Sequence, residues 1–263
     1  MTDFVQAGEV RVAFERAGHG PALVLMHGAE ASRQMFAALV PHLAKHFSVI
    51  SYDQRDCGDT EGPERAATLA DLANDAHQLI RALGFKRAHV FGSSFGGRVA
   101  QALALLHPRS IDRLVLASTW PLPRPYEELV PDARRLAELR QGLPETAEEL
   151  ATWFFPEDFL RQRPELRRVF ANGRPASARF ERRAATVTTT LDNGVADIVA
   201  PTLVLAGELD RVVPPTVTLS MAGRIRGADA VLLPAIGHVT AIQAPEVLAH
   251  HILRFLNPAG VKP

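Results

Sequence analysis

Short, continuously apolar runs alternate along the chain with longer stretches in which apolar residues recur at helical spacing. Residues 22–26, 47–52, 88–91, 114–117, 202–206 and 230–233 read as strands, since runs of this length bounded by polar, Gly or Pro residues suit a doubly covered sheet. Between them, Phe36, Leu39, Val40 and Leu43 fall on one face of a helix opened by Ser32. Leu72, Ala76, Leu79, Ile80 and Leu83 repeat that pattern after Thr68, with Asp71 approximating a capping box. Val99, Ala102, Leu103 and Leu106 form a third apolar face, and Leu248, Ile252 and Phe255 a fourth after Pro245. Alternation of this kind predicts a parallel sheet with helices on both faces, an α/β fold. The region 4–15, broken at Gly8, reads as an antiparallel hairpin added at one edge.

The alternation stops at Pro121-Leu122-Pro123-Arg124-Pro125 and resumes near residue 196. The stretch between is helical and dense in mixed charge, and it carries no clear strand. It reads as an inserted helical cap over 121–195, the core domain being 1–120 and 196–263. Trp120, Trp153, Phe154 and Phe155 mark its apolar side. The first three are candidates for contact with a substrate, although aromatics of this kind also serve to seal an insert to its domain.

Composition narrows the chemistry. Of 263 residues, 47% are hydrophobic and 22% charged, as in ordinary globular proteins. Lys plus Arg and Asp plus Glu both number 29, so there is no positive excess with which to hold a nucleic acid or an anionic membrane. No run approaches the length of a membrane span. The single cysteine, Cys57, forms no internal disulfide and fits a cytoplasmic protein, and a lone cysteine beside a strand is expected to be inert packing. No CxxC, HExxH or other metal-ligand spacing is present.

The strongest chemical signal is Gly92-Ser93-Ser94-Phe95-Gly96-Gly97, a GxSxG pattern between a strand and a helix. A turn this sharp holds its central residue at positive φ, and the flanking glycines remove side chains that would collide. Ser94 is thereby lifted above the carboxyl edge of the sheet at the positive end of a helix. A serine hydroxyl needs a base, and the base an orienting carboxylate, in the chain order Ser, acid, His. His250 and His251 lie inside the last amphipathic helix, whereas His238 follows the 230–233 strand on a loop at the carboxyl edge. His238 is the candidate base. On the loop after 202–206, Glu208 and Asp210 compete for the acid role, and Asp210 is favoured because a loop needs a few residues to turn back over the edge.

His27-Gly28 after the first core strand, Asp53-Gln54-Arg55-Asp56-Cys57-Gly58 after the next, the serine motif, the run from Gly207 to Pro214, and Gly237-His238 together resemble the α/β-hydrolase superfamily. The Asp-Gln-Arg run and the insert are similar to esterases and lactonases of the 3-oxoadipate enol-lactonase and aclacinomycin methylesterase type. Asp56 and Thr60 stand where many relatives have Gly and Ser, and Gln243 where Glu is common. The resemblance implies an oxyanion hole made of the Ala29 and Phe95 backbone N–H groups, a structural His27, and Arg55 bracing Asp53 or Asp56. It implies hydrolysis of a small-molecule carboxylic ester or lactone through an acyl-enzyme, with no cofactor or metal. A carbon–carbon bond hydrolase or a cofactor-free haloperoxidase or perhydrolase would use the same triad, and a ligand receptor on this fold would keep the pocket without turnover. Glu30, next to Ala29, is expected either to meet a donor on the substrate or to face a helix N-terminus.

Overall fold

A computed structural model of the protein describes residues 2–173 and 177–257. Its eight strands are β1 (Asp3–Ala7), β2 (Val10–Ala17), β3 (Ala22–Met26), β4 (Ser48–Tyr52), β5 (Ala88–Ser93), β6 (Ile111–Ala117), β7 (Thr202–Gly207) and β8 (Asp229–Leu233). They form one sheet in the order β1-β2-β4-β3-β5-β6-β7-β8. The β1–β2 and β2–β4 pairs are antiparallel, and every pair from β4 to β8 is parallel. The expected edge hairpin is thus present, turning at Gly8 with φ of 63°.

Eleven helices surround the sheet among the described residues: α1 (Val40–Leu43), α2 (Leu69–Ala82), α3 (Phe95–Leu106), α4 (Tyr126–Leu129), α5 (Ala133–Gln141), α6 (Ala147–Phe154), α7 (Glu157–Gln162), α8 (Ala178–Val187), α9 (Pro215–Leu219), α10 (Thr240–Gln243) and α11 (Pro245–Leu256). Because side chains alternate across a strand, the central strands serve two cores. Val24, Met26, Ile50 and Val90 pack with Leu72 and Leu79 of α2 and Val99 and Leu103 of α3. Leu23, Leu25, Val49 and Phe91 pack on the opposite face with Phe36, Leu39, Leu43 and the α11 residues Leu248 and Ile252. All five residues of β3 and of β4 are buried, which is why β3 reads as an unbroken apolar run and β4 as one interrupted only by the small Ser48 and Ser51.

The capping box opening α2 is formed: Asp71 N–H donates to Thr68 Oγ1 at 3.1 Å, and Thr68 N–H to Asp71 Oδ2 at 2.8 Å. The single helix expected after Ser32 is instead two pieces, a 3₁₀ turn over Arg33–Phe36 and the one-turn α1. Pro41 lacks the N–H that would bond back one turn, so a continuous helix cannot run through it. The apolar face survives the break, for Phe36, Leu39 and Leu43 are all fully buried. Among the described residues no strand lies between β6 and β7, where the chain forms α4 to α8. Leu136, Leu139, Leu150 and Trp153 of that segment join the core on the α2–α3 face.

Candidate active site

Ser94 sits between β5 and α3 with φ 55° and ψ −124°. A non-glycine residue held there costs on the order of 1–3 kcal/mol and persists only where its surroundings enforce it. Here the enforcement is close packing of backbone. A Cβ on Gly92 would lie 2.4 Å from the Gly96 carbonyl oxygen, and one on Gly96 only 2.1 Å from that of Met26. Ser94 N–H donates to the Ala117 carbonyl at 3.0 Å, and Gly97 N–H to that of Ser94 at 2.9 Å. These bonds lock the turn from both sides.

Two carboxylates leave β7 on the same loop, and they have different partners. Asp210 meets His238 Nδ1 at 3.0 Å through Oδ1 and 2.9 Å through Oδ2. Asp210 Oδ1 also accepts from the N–H groups of Val212 at 2.9 Å and Val213 at 2.8 Å. The buried carboxylate is thereby aimed at the imidazole. Glu208 instead accepts from Ala235 N–H at 2.9 Å, where Ala235 bends at φ 59°. The loop that presents His238 is braced by Gln243, whose Oε1 accepts from Gly237 N–H at 2.8 Å and whose Nε2 donates to the Ala235 carbonyl at 2.9 Å. His238 N–H donates to the Phe154 carbonyl at 2.9 Å, and the Phe154 ring meets the imidazole edge-on at 5.4 Å. His250 and His251 lie on α11 and contact each other at 5.4 Å.

The loop after β3 is built around His27. Its Nε2 accepts from Gln54 N–H at 3.0 Å, so Nδ1 carries the proton and donates to the Gly28 carbonyl at 2.7 Å. Burial, with the nearby Arg183 charge second, holds this imidazole down at about 3, so it is neutral. Fixing the Gly28 carbonyl fixes the peptide plane that carries Ala29 N–H. A Cβ on Gly28 would lie 3.5 Å from Ser94 Cβ, which sets this loop directly against the serine. The next loop makes its own brace. Arg55 contacts Asp75 and Glu9 rather than Asp53 or Asp56, while Asp53 pairs with Arg33 and Asp56 with Arg182 of α8 at 2.8 Å. Thr60 Oγ1 donates to the Asp53 carbonyl at 2.6 Å and accepts from Ala13 N–H at 2.9 Å.

A cavity of about 810 Å³ opens over Ser94, with Ala29, Glu30, Phe95, Trp120 and Tyr126 in its lining. Glu30 is ion-paired with Arg140 of α5 at 3.2 Å, a partner neither sequence expectation included. Trp120 packs edge-on against Tyr126 at 5.1 Å. Trp153 and Phe154 are not among the lining residues: Trp153 lies buried beneath the Arg211 guanidinium at 4.6 Å, and Phe154 backs onto His238. Cys57 lines the cavity but is buried, and that burial pushes its thiol up, away from the reactive thiolate. Among the described residues no group of three or more His, Cys, Asp or Glu is placed to hold a metal ion.

Residues 21–245 match the family described as alpha/beta hydrolase fold. This chain belongs to that family. It is similar to the candidate carbamate hydrolase RutD of Caulobacter sp. (strain K31), with 30% identity over 96% of this chain and 98% of the relative. A thermophilic esterase from Thermogutta terrifontis, solved with malate bound, superposes with a TM-score of 0.82 at 28% identity, covering 99% of this chain and 100% of that one. The enol-lactonase from Burkholderia xenovorans LB400 does so with a TM-score of 0.81 at 25% identity, covering 97% and 99%. The chain is a hydrolase of the α/β-hydrolase type.

Several residues of this hydrolase's site carried no legible signal. Gln243 looked like a departure from the common pattern, yet it holds the His238 loop. Arg183 of α8, one of many arginines in a charge-dense stretch, is buried and donates through Nε to the Ala29 carbonyl and through Nη2 to Gln54 Oε1, both at 3.2 Å. Among the described residues no helix is long and apolar enough to cross a membrane.

Proposed function

We propose that this hydrolase cleaves a carboxylic ester or lactone through an acyl-enzyme on Ser94, with His238 as base, Asp210 as its orienting acid, and the segment 121–195 as a cap over the site. Ser94 Oγ attacks the carbonyl carbon while its proton passes to His238. With Nδ1 engaged by Asp210, the accepting nitrogen is Nε2. The negative charge that gathers on the carbonyl oxygen is met by the N–H groups of Ala29 and Phe95, each such donor being worth about 3–4 kcal/mol in the transition state. Collapse breaks the bond to the alcohol, which takes the proton from His238. Water then attacks the acyl carbon, gives one proton to His238, and displaces Ser94 Oγ, which regains it. The net change is ester plus water to acid plus alcohol.

The single observation carrying this reading is Ser94 at φ 55° beneath a cavity, on the same sheet edge as an imidazole bonded to a buried carboxylate. Turns of this strain expose a nucleophile. The names of the esterase and enol-lactonase neighbours agree with attack on an acyl carbon. Glu30 and Trp120, in the cavity lining, are the candidate substrate contacts.

The test is a series of p-nitrophenyl esters of increasing chain length beside several lactones, run on wild type and Ser94→Ala. Loss of activity by about a thousandfold or more, with an unchanged melting temperature, is the expected result. A fluorophosphonate should add its mass to the peptide containing Ser94. A fully active Ser94→Ala protein overturns the reading.

A further inference from the structure

We propose that Asp56 is a specificity-determining residue whose Oδ2 accepts a hydrogen bond from a neutral hydroxyl group of the substrate, so that the natural substrate is an ester or lactone bearing a free hydroxyl. This rests on the ester or lactone reading of the same site and adds the chemical class of its substrate.

Asp56 stands in the loop after β4 and lines the cavity over Ser94. Cys57 N–H donates to the Gln54 carbonyl at 2.9 Å, which makes Asp56 the third residue of a four-residue turn, at φ 62°. Positive φ at that place in a turn suits Gly and Asn best, with Asp tolerated, so the turn gives no reason for a carboxylate. The ion pair with Arg182 of α8 accounts for one of its oxygens: Arg182 donates to Oδ1 through Nε at 3.0 Å and through Nη2 at 2.8 Å. The side chain is only 6% exposed, and Oδ2 is buried with no hydrogen-bond partner. An ionised carboxylate accepts through both oxygens, and leaving one of them dry and unpaired costs stability. Asn would serve the turn and offer Arg182 the same oxygen. What Asp adds is the second acceptor.

The charges around Asp56 decide what kind of donor it takes. Its own charge is already matched by Arg182. Arg179 and Arg183 line the same cavity, and the fields of both reach the thiol of Cys57, the next residue. Arg179 donates to the carbonyls of Cys57 and Thr60, and Arg183 to the Ala29 carbonyl and Gln54 Oε1, all of them neutral acceptors. An ammonium group brought to Oδ2 would meet those two guanidinium charges in a buried setting, where repulsion is strong. A hydroxyl brings a donor without a charge. Its bond to an ionised oxygen is of the stronger, charge-assisted kind, and a site built to take such a donor rejects an analogue lacking it, because the buried acceptor is then left unpaired.

The test compares two substrate pairs in which a hydroxyl is set beside its methyl ether, which accepts a hydrogen bond but cannot donate one. One pair, p-nitrophenyl 6-hydroxyhexanoate and 6-methoxyhexanoate, carries the group in the acyl part. The other, 4-hydroxybutyl and 4-methoxybutyl acetate, carries it in the alcohol part. The readout is the ratio of kcat/KM, hydroxyl over ether, so that any general loss of activity cancels. In at least one pair wild type should favour the hydroxyl, and Asp56→Gly, whose residue suits the positive φ of this turn, should lower the ratio about tenfold or more, chiefly through KM. Arg182→Gln still offers Oδ1 a donor and leaves Oδ2 in place, so it should hold the ratio within about twofold. Independently of turnover, Ser94→Ala titrated with 6-hydroxyhexanoate and with 1,4-butanediol, each beside its methyl ether, should bind the hydroxyl compound more tightly in at least one pair, and adding Asp56→Gly should abolish the difference. Esters hydrolysed with ratios that Asp56→Gly leaves unchanged, and no binding difference, overturn the hydroxyl site while the ester reading stands. An equal fall in Arg182→Gln overturns it too, by assigning the effect to the hold of Asp56 on α8. Preference for p-nitrophenyl 6-aminohexanoate over the hydroxy ester, lost in Asp56→Gly, overturns the neutral donor. A binding preference that depends on Asp56, with no ester hydrolysed, leaves the hydroxyl site standing and overturns the ester reading.

Discussion

The backbone N–H of Gln54 donates to His27 Nε2 at 3.0 Å, leaving the His27 proton on Nδ1 against the Gly28 carbonyl. A protonated imidazole cannot accept that bond, so folding and neutrality of His27 are linked. Its folded value of about 3 lies below the unfolded 6.5. Between those values the unfolded chain binds one more proton than the folded one, and stability therefore falls as pH falls through that window. The slope contributed is at most about 1.4 kcal/mol per pH unit. Urea unfolding at pH 7, 6 and 5 should show a shallower loss in His27→Gln than in wild type. Parallel profiles would show that His27 is not the linked group.

The two carboxylates of the β7 loop should separate cleanly. Asp210→Asn removes the charge facing His238 Nδ1 and should lower kcat by about a thousandfold or more. Glu208→Gln keeps an oxygen for Ala235 N–H and should lower kcat by less than about fivefold. Steady-state kinetics on one activated ester ranks them, and the reverse order would move the acid role to Glu208.

Gln243→Ala removes both bonds from this side chain to the loop carrying His238. Misplacement of a base by a fraction of an ångström costs rate rather than ground-state affinity. The expected outcome is a fall in kcat of about tenfold or more with KM nearly unchanged. A change confined to KM would place Gln243 in binding instead.

Glu30→Gln should cost little stability, about 0–1 kcal/mol, since its pair with Arg140 is partly exposed. Freed of Glu30, Arg140 adds positive charge to the cavity. KM for simple acyl p-nitrophenyl esters should stay nearly unchanged. If instead KM rises for amino- or hydroxyl-bearing esters alone, Glu30 contacts the substrate directly.

Much of the fold was legible because its causes are local. A covered strand needs a mostly apolar run, the box opening α2 needs only Thr68 and Asp71, and the strained turn at Ser94 needs small residues at Gly92 and Gly96. All of these lie within a few positions of one another, where steric rules act on the sequence directly. Pro41, which splits the helix expected after Ser32, was equally local, but the apolar spacing around it outweighed the missing N–H in the reading. Loop length alone favoured Asp210 over Glu208, and only the tertiary structure shows which of the two meets His238. They lie two positions apart on one loop, and what separates them is that Asp210 meets a histidine 28 residues onward while Glu208 meets Ala235. Arg183 is further still from being readable, because its partners Gln54 and Ala29 lie 129 and 154 residues away. Which charges end up buried without a counter-charge depends on how α8 packs over the sheet edge, and local spacing in a sequence holds no record of that packing.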